Sequence, residues 1–234
     1  ELNLNADYID QTLLRSAVGY DFLARVGVPT PQATYARLYL NGWYYGLFSQ
    51  VEQIDERFLY QHGFNIHGNL YKPFYGSLNL LTSDSYANED WWDYHYPKKT
   101  NRDSGREDLW RLMEIIAYTP DEAFAETIGP VLDVNGWLDW YAANILLGNF
   151  EMLEKNYYLY HDFSTDRWHI FPWDVDLALG HNAMFAIPNP LFDYDVTWDN
   201  PVDSGTQNSR KIDGKWNALI DLSLIHISEP TRPY

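Results

Sequence analysis

The stretch that decides the fold is EKNYYLYHDFSTDRWHIFPWDVDLALG, residues 154–180. Two runs of aromatic and apolar residues flank a polar turn at Ser164-Thr165-Asp166, which is the pattern of a β-hairpin. We expect Tyr157–His161 to pair antiparallel with Trp168–Pro172 around this turn. Both strands have the composition of buried strands. Two acids, Asp174 and Asp176, follow soon after the second strand, and carboxylates placed next to a buried strand indicate a functional site.

Polar side chains collect at the open end of this predicted hairpin. The antiparallel register sets Asn156 across from Asp174, and Glu151 precedes Asn156 with four residues between them. In an extended segment Asp176 points to the same side as Asp174. Carboxylate and carboxamide oxygens are the hard ligands that Mg²⁺ or Mn²⁺ prefers. The sequence therefore predicts a divalent-metal site at this end, with Asp176 as a further candidate ligand.

The order of these groups along the chain has a chemical meaning. Phosphoryl transfer needs a metal ion that bridges phosphate oxygens and a carboxylate that orients the attacking hydroxyl. An acid, an Asn, a hairpin and then an Asp is the order found in a protein-kinase catalytic loop and its metal-binding Asp. A glycoside hydrolase with Glu151 and Asp174 as its acid pair is an alternative, since such pairs lie roughly 5–10 Å apart. That alternative leaves Asn156 and Lys72 without a role.

The composition narrows the classes of partner. The chain of 234 residues carries 33 acids and 16 bases, a formal net charge of -17. Nucleic acids and anionic membranes select Lys and Arg, so we expect no nucleic-acid partner. No apolar run is long enough to cross a bilayer. Cys is absent, which excludes a disulfide scaffold and Cys-ligated zinc, and the seven His lack the spacing of a zinc site.

The sequence predicts a β-rich first lobe over about residues 1–75. Apolar residues recur with a helical period in its first third, and Asn5 or Asp7 is a suitable cap for that helix. Asn41-Gly42 lies between two strand-like runs and predicts a β-hairpin. A short helix with Asp55 as its N-cap follows, and then a strand at GNLYKPF.

The rest of the chain predicts a helical second lobe, so that the fold class is α+β. Residues 76–103 are polar and aromatic with little periodicity, which indicates a linker or loop. We expect residues 104–221 to form a partial helical lobe, in which three helical segments come first and are followed by the hairpin and by an irregular stretch at 188–208. Ser104 and Glu107 predict a capping box before the first of these helices, and Asp133 precedes the third.

Both ends of the sequence suggest a fragment. The chain starts at Glu1 and not at Met, so an export signal would not be visible. Residues 222–234 include LSLIHISEPTR, which is what a common transposase sequencing adapter encodes, so we expect this tail to be non-native. We therefore predict one domain, residues 1–221, truncated at its C-terminal end.

Three stretches carry a resemblance to a known family. They are Leu14–Leu59, Asn69–Lys72 and Gly148–Gly180, and the last of them is specific. They resemble the CotH kinases, atypical kinase-like proteins first met as spore-coat components and widespread among secreted bacterial proteins. The resemblance implies an atypical protein-kinase-like, two-lobed fold. It also implies transfer of the γ-phosphoryl group of ATP to Ser or Thr hydroxyls of a protein, assisted by Mg²⁺ or Mn²⁺.

The resemblance also assigns roles by position. Asn156 and Asp174 would hold a metal ion. Lys72 is the candidate for the phosphate-contacting lysine, with Glu52 as its candidate partner. Arg15 is a candidate for offsetting the negative charge of the phosphates. The family favours a secreted or a cell- or spore-surface location. The acidic charge favours a basic protein substrate, and the resemblance implies one rich in Ser and Thr.

One position departs from the family. The CotH kinases usually have Asp where this chain has Glu151, which is longer by one methylene. A displacement of about 1 Å in a positioned group can cost about 100-fold in rate. Glu can still accept a proton, so its role as the base is weakened and not excluded. A second hypothesis is therefore a nonenzymatic surface or coat protein that uses this fold for adhesion or assembly.

Overall fold

The computed structural model describes residues 2–74, 89–149, 152 and 155–179. This part of the chain contains both helices and antiparallel sheets, so the predicted α+β class is confirmed. The strands are β1 (Asn3–Asn5), β2 (Ala33–Leu40), β3 (Trp43–Val51), β4 (Asn69–Tyr71), β5 (Tyr157–Asp162) and β6 (Arg167–Pro172). The helices are α1 (Arg15–Arg25), α2 (Glu56–Gln61), α3 (Glu89–His95), α4 (Glu107–Tyr118), α5 (Asp121–Ile128) and α6 (Val134–Leu146).

The first sheet has the strand order β1-β3-β2 and is antiparallel. Asn41 and Gly42 join β2 to β3 with φ of 51° and 84°, and positive φ at both central residues is what a type I′ turn requires. The hairpin predicted from this dipeptide is therefore confirmed. Val51, at the end of β3, is buried in the main core.

Helix α1 begins later than the sequence predicted. The first residues form strand β1, and α1 starts at Arg15, so the prediction that Asn5 or Asp7 caps it was wrong. The Asp10 carboxylate instead accepts hydrogen bonds from the backbone N–H groups of Thr12 at 3.0 Å and Arg15 at 2.8 Å. Side chains such as Asp offer the backbone an alternative to helix in this way.

The second sheet has the order β4-β5-β6 and contains the predicted hairpin. Tyr157 pairs with Pro172 and His161 pairs with Trp168, so the two strands pair as expected. All six residues of β5 are buried. Because β4 pairs antiparallel with β5, the sheet brings the end of β4 to the beginning of β5.

Part of the segment predicted to be a linker is helical. Helix α3 lies within residues 76–103 and buries Trp92 in the main core. Arg106 donates hydrogen bonds to the carboxylate of Glu89, at 2.8 Å, and to that of Asp93, which fixes α3 beside the start of α4. Residues 75–88 lie outside the described part of the chain.

Of the two N-terminal caps predicted for α4 and α6, the structure confirms the one of α6 and not the one of α4. Asp133 caps α6 as predicted, because its side chain accepts a hydrogen bond from the N–H of Gly136 at 3.2 Å. The prediction that Ser104 and Glu107 form a capping box was wrong, since no side chain caps the N-terminus of α4. The Ser104 hydroxyl instead accepts a hydrogen bond at 2.7 Å from the ammonium of Lys98.

The helices α3 to α6 and the second sheet share one large apolar core. The bulkiest fully buried side chains of this core are those of Trp92, Trp137, Trp140 and Trp168. A smaller core cluster packs α2 against the other face of β5 and β6, with Phe58 and Phe171 in contact. Since β5 and β6 are covered on both faces, their ends are held rigidly where the candidate site begins. The predicted domain end at 221 and the tail 222–234 lie outside the described residues.

Candidate functional site

The backbone of Asp174 is held on both sides by side chains from distant parts of the chain. Its N–H donates a hydrogen bond to the Tyr20 hydroxyl at 2.9 Å. Its carbonyl oxygen accepts one from Nδ2 of Asn156 at 3.2 Å. Asp174 has a φ of 57°, a left-handed conformation that Asp tolerates better than most residues. These two bonds fix the backbone from which the carboxylate of Asp174 projects.

Asn156 lies at the start of β5 and is only 4% exposed. Its carbonyl oxygen accepts a hydrogen bond from the N–H of Trp173 at 3.0 Å, which continues the strand ladder by one step. Asn156 is therefore opposite Trp173, one residue short of the predicted register, and its side chain still reaches the backbone of Asp174. With Nδ2 committed to that bond, the carboxamide oxygen is the atom of this side chain suited to a metal ion.

Lys72 lies beside the start of β5 because β4, which it follows, pairs with that strand. Its ammonium donates a hydrogen bond to the carbonyl oxygen of Lys155 at 2.7 Å. It also lies 5.4 Å from the centre of the Tyr158 ring. Lys155 immediately precedes Asn156, so the structure brings together three of the predicted site residues, Lys72, Asn156 and Asp174.

Asp176 lies within electrostatic reach of the same tyrosine that holds Asp174. Burial, followed by the charge of Asp174, raises the pKa of the Tyr20 hydroxyl well above its ordinary value, and the charge of Asp176 adds to this rise. The phenol is therefore neutral and keeps its proton at physiological pH. The expectation that the two carboxylates point to a common side was made for an extended segment, and with Asp174 in a left-handed conformation it stays a prediction.

Glu52 and Lys72 are not brought together. The Glu52 carboxylate accepts a hydrogen bond from the backbone N–H of Gln32 at 3.2 Å, at the far side of strand β3. Both Glu52 and Lys72 belong to the described residues, and no ion pair joins them. The predicted pairing was wrong because the last residues of β3 direct Glu52 toward the loop before β2.

Arg15 contacts the loop that follows Asp176. Its Nη1 donates a hydrogen bond to the carbonyl oxygen of Ala178 at 2.6 Å, and its Nε lies 3.2 Å from the carboxylate of Asp10. Arg15 therefore anchors this loop to α1, and its predicted contact with phosphate stays a prediction. Glu151 lies outside the described residues, so its predicted role as the base also stays a prediction.

The donor groups fit a divalent ion of the Mg²⁺ class. Asn156 and Asp174 offer a carboxamide and a carboxylate, and Asp176 offers a second carboxylate two residues further along the chain. Within the described residues, no group of three or more His, Cys, Asp and Glu side chains could hold an ion by itself. Mg²⁺ is commonly held by one or two carboxylates together with substrate phosphates. The arrangement around Asp174 suits this mode of binding, in which substrate phosphates complete the set of ligands.

Sequence reasoning missed Tyr20. The apolar period predicted for this segment ran through Val18 and Val26, which are each 45% exposed, whereas the buried face of α1 carries Tyr20 and Leu23. Nor does the sequence show that the Tyr20 hydroxyl reaches a residue 154 positions away.

Among the helices of the described ranges, none combines the length and the apolar character needed to cross a membrane.

Comparison with known proteins agrees with the motifs of the hairpin. A family model described as CotH kinase protein matches residues 1–225. The chain is 26% identical over 184 residues to Inner spore coat protein H of Bacillus subtilis (strain 168). That alignment covers 78% of this chain and 51% of the relative, so the chain spans about half the length of the curated relative it matches. This chain belongs to the CotH kinase protein family.

Proposed function

We propose that this chain is the core of an ATP-dependent protein kinase, which transfers the γ-phosphoryl group to Ser or Thr hydroxyls of a protein with the help of Mg²⁺ or Mn²⁺. The observation that carries the proposal is the convergence of Lys72, Asn156 and Asp174 at one end of the second sheet. A fixed cation beside two oxygen donors is the combination that nucleotide phosphates and their metal ion need.

Each residue has a role that follows from its contacts. When bound, the divalent ion would supply positive charge that stabilises the transferring phosphoryl group. Asn156 and Asp174 would hold that ion, with Asp176 as a further ligand. The Lys72 ammonium, fixed by its 2.7 Å hydrogen bond to a backbone carbonyl, would contact the phosphates. Glu151 would accept the proton of the attacking hydroxyl, whose oxygen forms the new bond to phosphorus as the bond to ADP breaks.

We also infer a kinase-like arrangement of two lobes around this site. The groups that converge there come from both sides of the segment 76–103. Tyr20 and Lys72 precede it, and Asn156 and Asp174 follow it. A nucleotide bound at this point would therefore contact both parts of the chain, as in protein kinases.

The net charge of the chain supports a proposal about its substrate, and the name of its relative supports one about its location. The net charge of -17 favours a basic protein substrate, because opposite charges steer association. We propose that the substrate is also rich in Ser and Thr. The name of the relative, an inner spore coat protein, supports a location at the spore surface for this chain.

Labelling with ATP tests the proposal. The whole chain is incubated with Mg²⁺, γ-labelled ATP and a basic, Ser-rich protein, beside Asp174→Asn. Asn tolerates the left-handed backbone of this position but removes the negative charge, so we expect labelling to fall at least about 100-fold. Asp139→Asn changes an exposed acid of α6 and should label as the unaltered chain does. Equal labelling by Asp174→Asn would overturn the site assignment.

A second candidate function is nonenzymatic assembly on a surface or coat. The hairpin of β2 and β3 favours it, because large aromatic side chains there face solvent: Trp43 is 80% exposed and Tyr45 is 65% exposed. Exposed aromatic groups of this kind mark protein interaction surfaces. The presence of Glu151 where the family has Asp agrees with it too. Failure of both the unaltered chain and Glu151→Asp to label any protein would favour assembly over catalysis.

A further inference from the structure

We propose that Tyr20 is a positioning residue for Asp174, and that helix α1 thereby sets the geometry of the candidate metal site. The part of this inference that concerns the metal ion rests on the proposed function. Its first support is the hydrogen bond of 2.9 Å between the Asp174 N–H and the Tyr20 hydroxyl. Tyr20 is 3% exposed, so water does not compete for this N–H as it would at the surface.

The second support is the close approach of α1 to the residue after Asp174. A Cβ placed on Gly19 would lie 2.9 Å from Cγ2 of Val175 and 3.3 Å from its Cβ. Real Cβ atoms essentially never come as close as the first of these distances. Gly19 therefore allows α1 to approach the loop until the hydroxyl of Tyr20, the next residue, reaches the backbone of Asp174.

A third contact lies at the start of the same helix. Arg15 donates its hydrogen bond to the carbonyl oxygen of Ala178 at 2.6 Å. Arg15 and Gly19 are four residues apart and so lie on one face of α1. Helix α1 thus contacts the loop at three of its residues, Asp174, Val175 and Ala178, and at Asp174 it holds the peptide N–H of the candidate ligand itself.

The consequence concerns metal affinity. Without the Tyr20 hydroxyl, the part-buried N–H of Asp174 loses its acceptor, and the left-handed backbone loses one of its restraints. Groups that orient a metal ligand typically contribute about 10- to 100-fold in affinity or activity. We therefore expect Tyr20→Phe to weaken binding of a divalent ion by about 10-fold while the chain stays folded.

The experiment compares Tyr20→Phe with Tyr160→Phe in the whole chain. Tyr160 is also buried, and its hydroxyl accepts a hydrogen bond from the N–H of Gly68 and donates one to the carbonyl of Asn65, away from the site. The first measurement is hydrogen exchange at the amide of Asp174. The second is binding of Mn²⁺ in the presence of a non-hydrolysable ATP analogue, followed by electron paramagnetic resonance. Tyr20→Phe should speed the exchange and weaken Mn²⁺ binding about 10-fold, and Tyr160→Phe should change neither.

The two measurements separate the outcomes. Unchanged exchange at Asp174 in Tyr20→Phe would overturn the contact itself. Faster exchange with unchanged Mn²⁺ affinity would overturn the positioning role. If the unaltered chain bound no Mn²⁺ with the nucleotide, the proposed function would fail and the positioning role for a metal would fail with it, while the exchange data would still report on the contact.

A second variant covers the case in which Tyr20→Phe does not fold. Gly19→Ala keeps the hydroxyl but forces α1 away from Val175. Ala favours a helix over Gly, so a merely structural role for α1 would leave metal binding unchanged or improve it. We expect Gly19→Ala to weaken Mn²⁺ binding although its helix is favoured, and unchanged affinity would overturn the inference.

Discussion

The ammonium of Lys72 donates a hydrogen bond of 2.7 Å to the carbonyl oxygen of Lys155, across 83 residues of sequence. This bond sets a positive charge beside the residue that precedes Asn156. The bond depends on the pairing of β4 with β5, because that pairing places Lys72, which follows β4, beside the beginning of β5. The sheet therefore determines which cation serves the candidate site.

The first prediction concerns this lysine. Lys72→Met removes the charge and keeps the length of the side chain, so we expect a higher KM for ATP and a kcat/KM that is lower by at least about 10-fold. Steady-state kinetics over a range of ATP concentrations measures both values. Lys99→Met is the matched control, since Lys99 contacts β4 through its backbone N–H, which donates to Leu70. Similar kinetics for the two variants would contradict the assignment of Lys72.

The second prediction concerns Asn156. Asn156→Asp keeps an oxygen ligand but removes the amide that donates to the carbonyl of Asp174. The carbonyl of Asp174 is part-buried, so the loss of its hydrogen-bond donor should lower the free energy of unfolding by about 0.5–1.5 kcal/mol. Urea unfolding measures the change, with the exposed Asn135→Asp as the control. A variant as stable as the unaltered chain would show that this bond does not hold the loop.

The third prediction concerns a buried histidine in the second sheet. Burial lowers the pKa of His161, but its hydrogen bonds to Asp108 and Asp166 outweigh this effect, and the pKa is raised overall. A raised pKa in the folded state stabilises the fold fully below the unfolded value of about 6.5, and this stabilisation is lost as the pH rises through the folded value. The stability difference between the unaltered chain and His161→Asn should therefore shrink as the pH rises above about 6.5.

Asp108 is the partner that makes this prediction specific. Burial raises the pKa of Asp108, but hydrogen bonds from His161, Tyr71 and Asn69 outweigh burial and lower it overall. Asp108 is therefore ionised over the whole range and continues to attract a protonated His161. Chemical unfolding at several pH values measures the stability difference. A difference that stays constant or grows with pH would contradict the raised pKa of His161.

The fourth prediction concerns Glu151. If its extra methylene displaces the base, Glu151→Asp should raise kcat, by up to about 100-fold for a displacement of about 1 Å. Glu151→Gln cannot accept a proton and should abolish transfer while nucleotide binding persists. Single-turnover labelling separates transfer from binding. A slower Glu151→Asp variant would show that the site is adapted to the longer acid.

Much of the fold could be predicted because several of its signals are local. Asn41-Gly42 makes its turn, and Asp55 and Asp133 cap their helices, through contacts within three residues. Local rules failed where a distant or competing group intervened. Lys98 takes the Ser104 hydroxyl that the predicted capping box required.

The candidate site was predictable to the extent that strand pairing determines it. Antiparallel pairing of β5 and β6 was enough to bring Asn156 close to Asp174. The Tyr20 contact could not be predicted, because the apolar period of this segment did not include Tyr20 and a period does not show what a hydroxyl meets. The same reason explains the wrong partner proposed for Lys72, since the direction of Glu52 depends on how β3 ends against Gln32.

The most direct test of the central claim is a crystal structure with Mn²⁺ and a non-hydrolysable ATP analogue, in which the anomalous signal of manganese locates the ion. We predict a peak bound by the carboxamide oxygen of Asn156 and a carboxylate oxygen of Asp174, at distances close to the about 2.0–2.1 Å of Mg²⁺ sites, with the phosphates next to Lys72. A nucleotide bound with its manganese away from both side chains would contradict the claim.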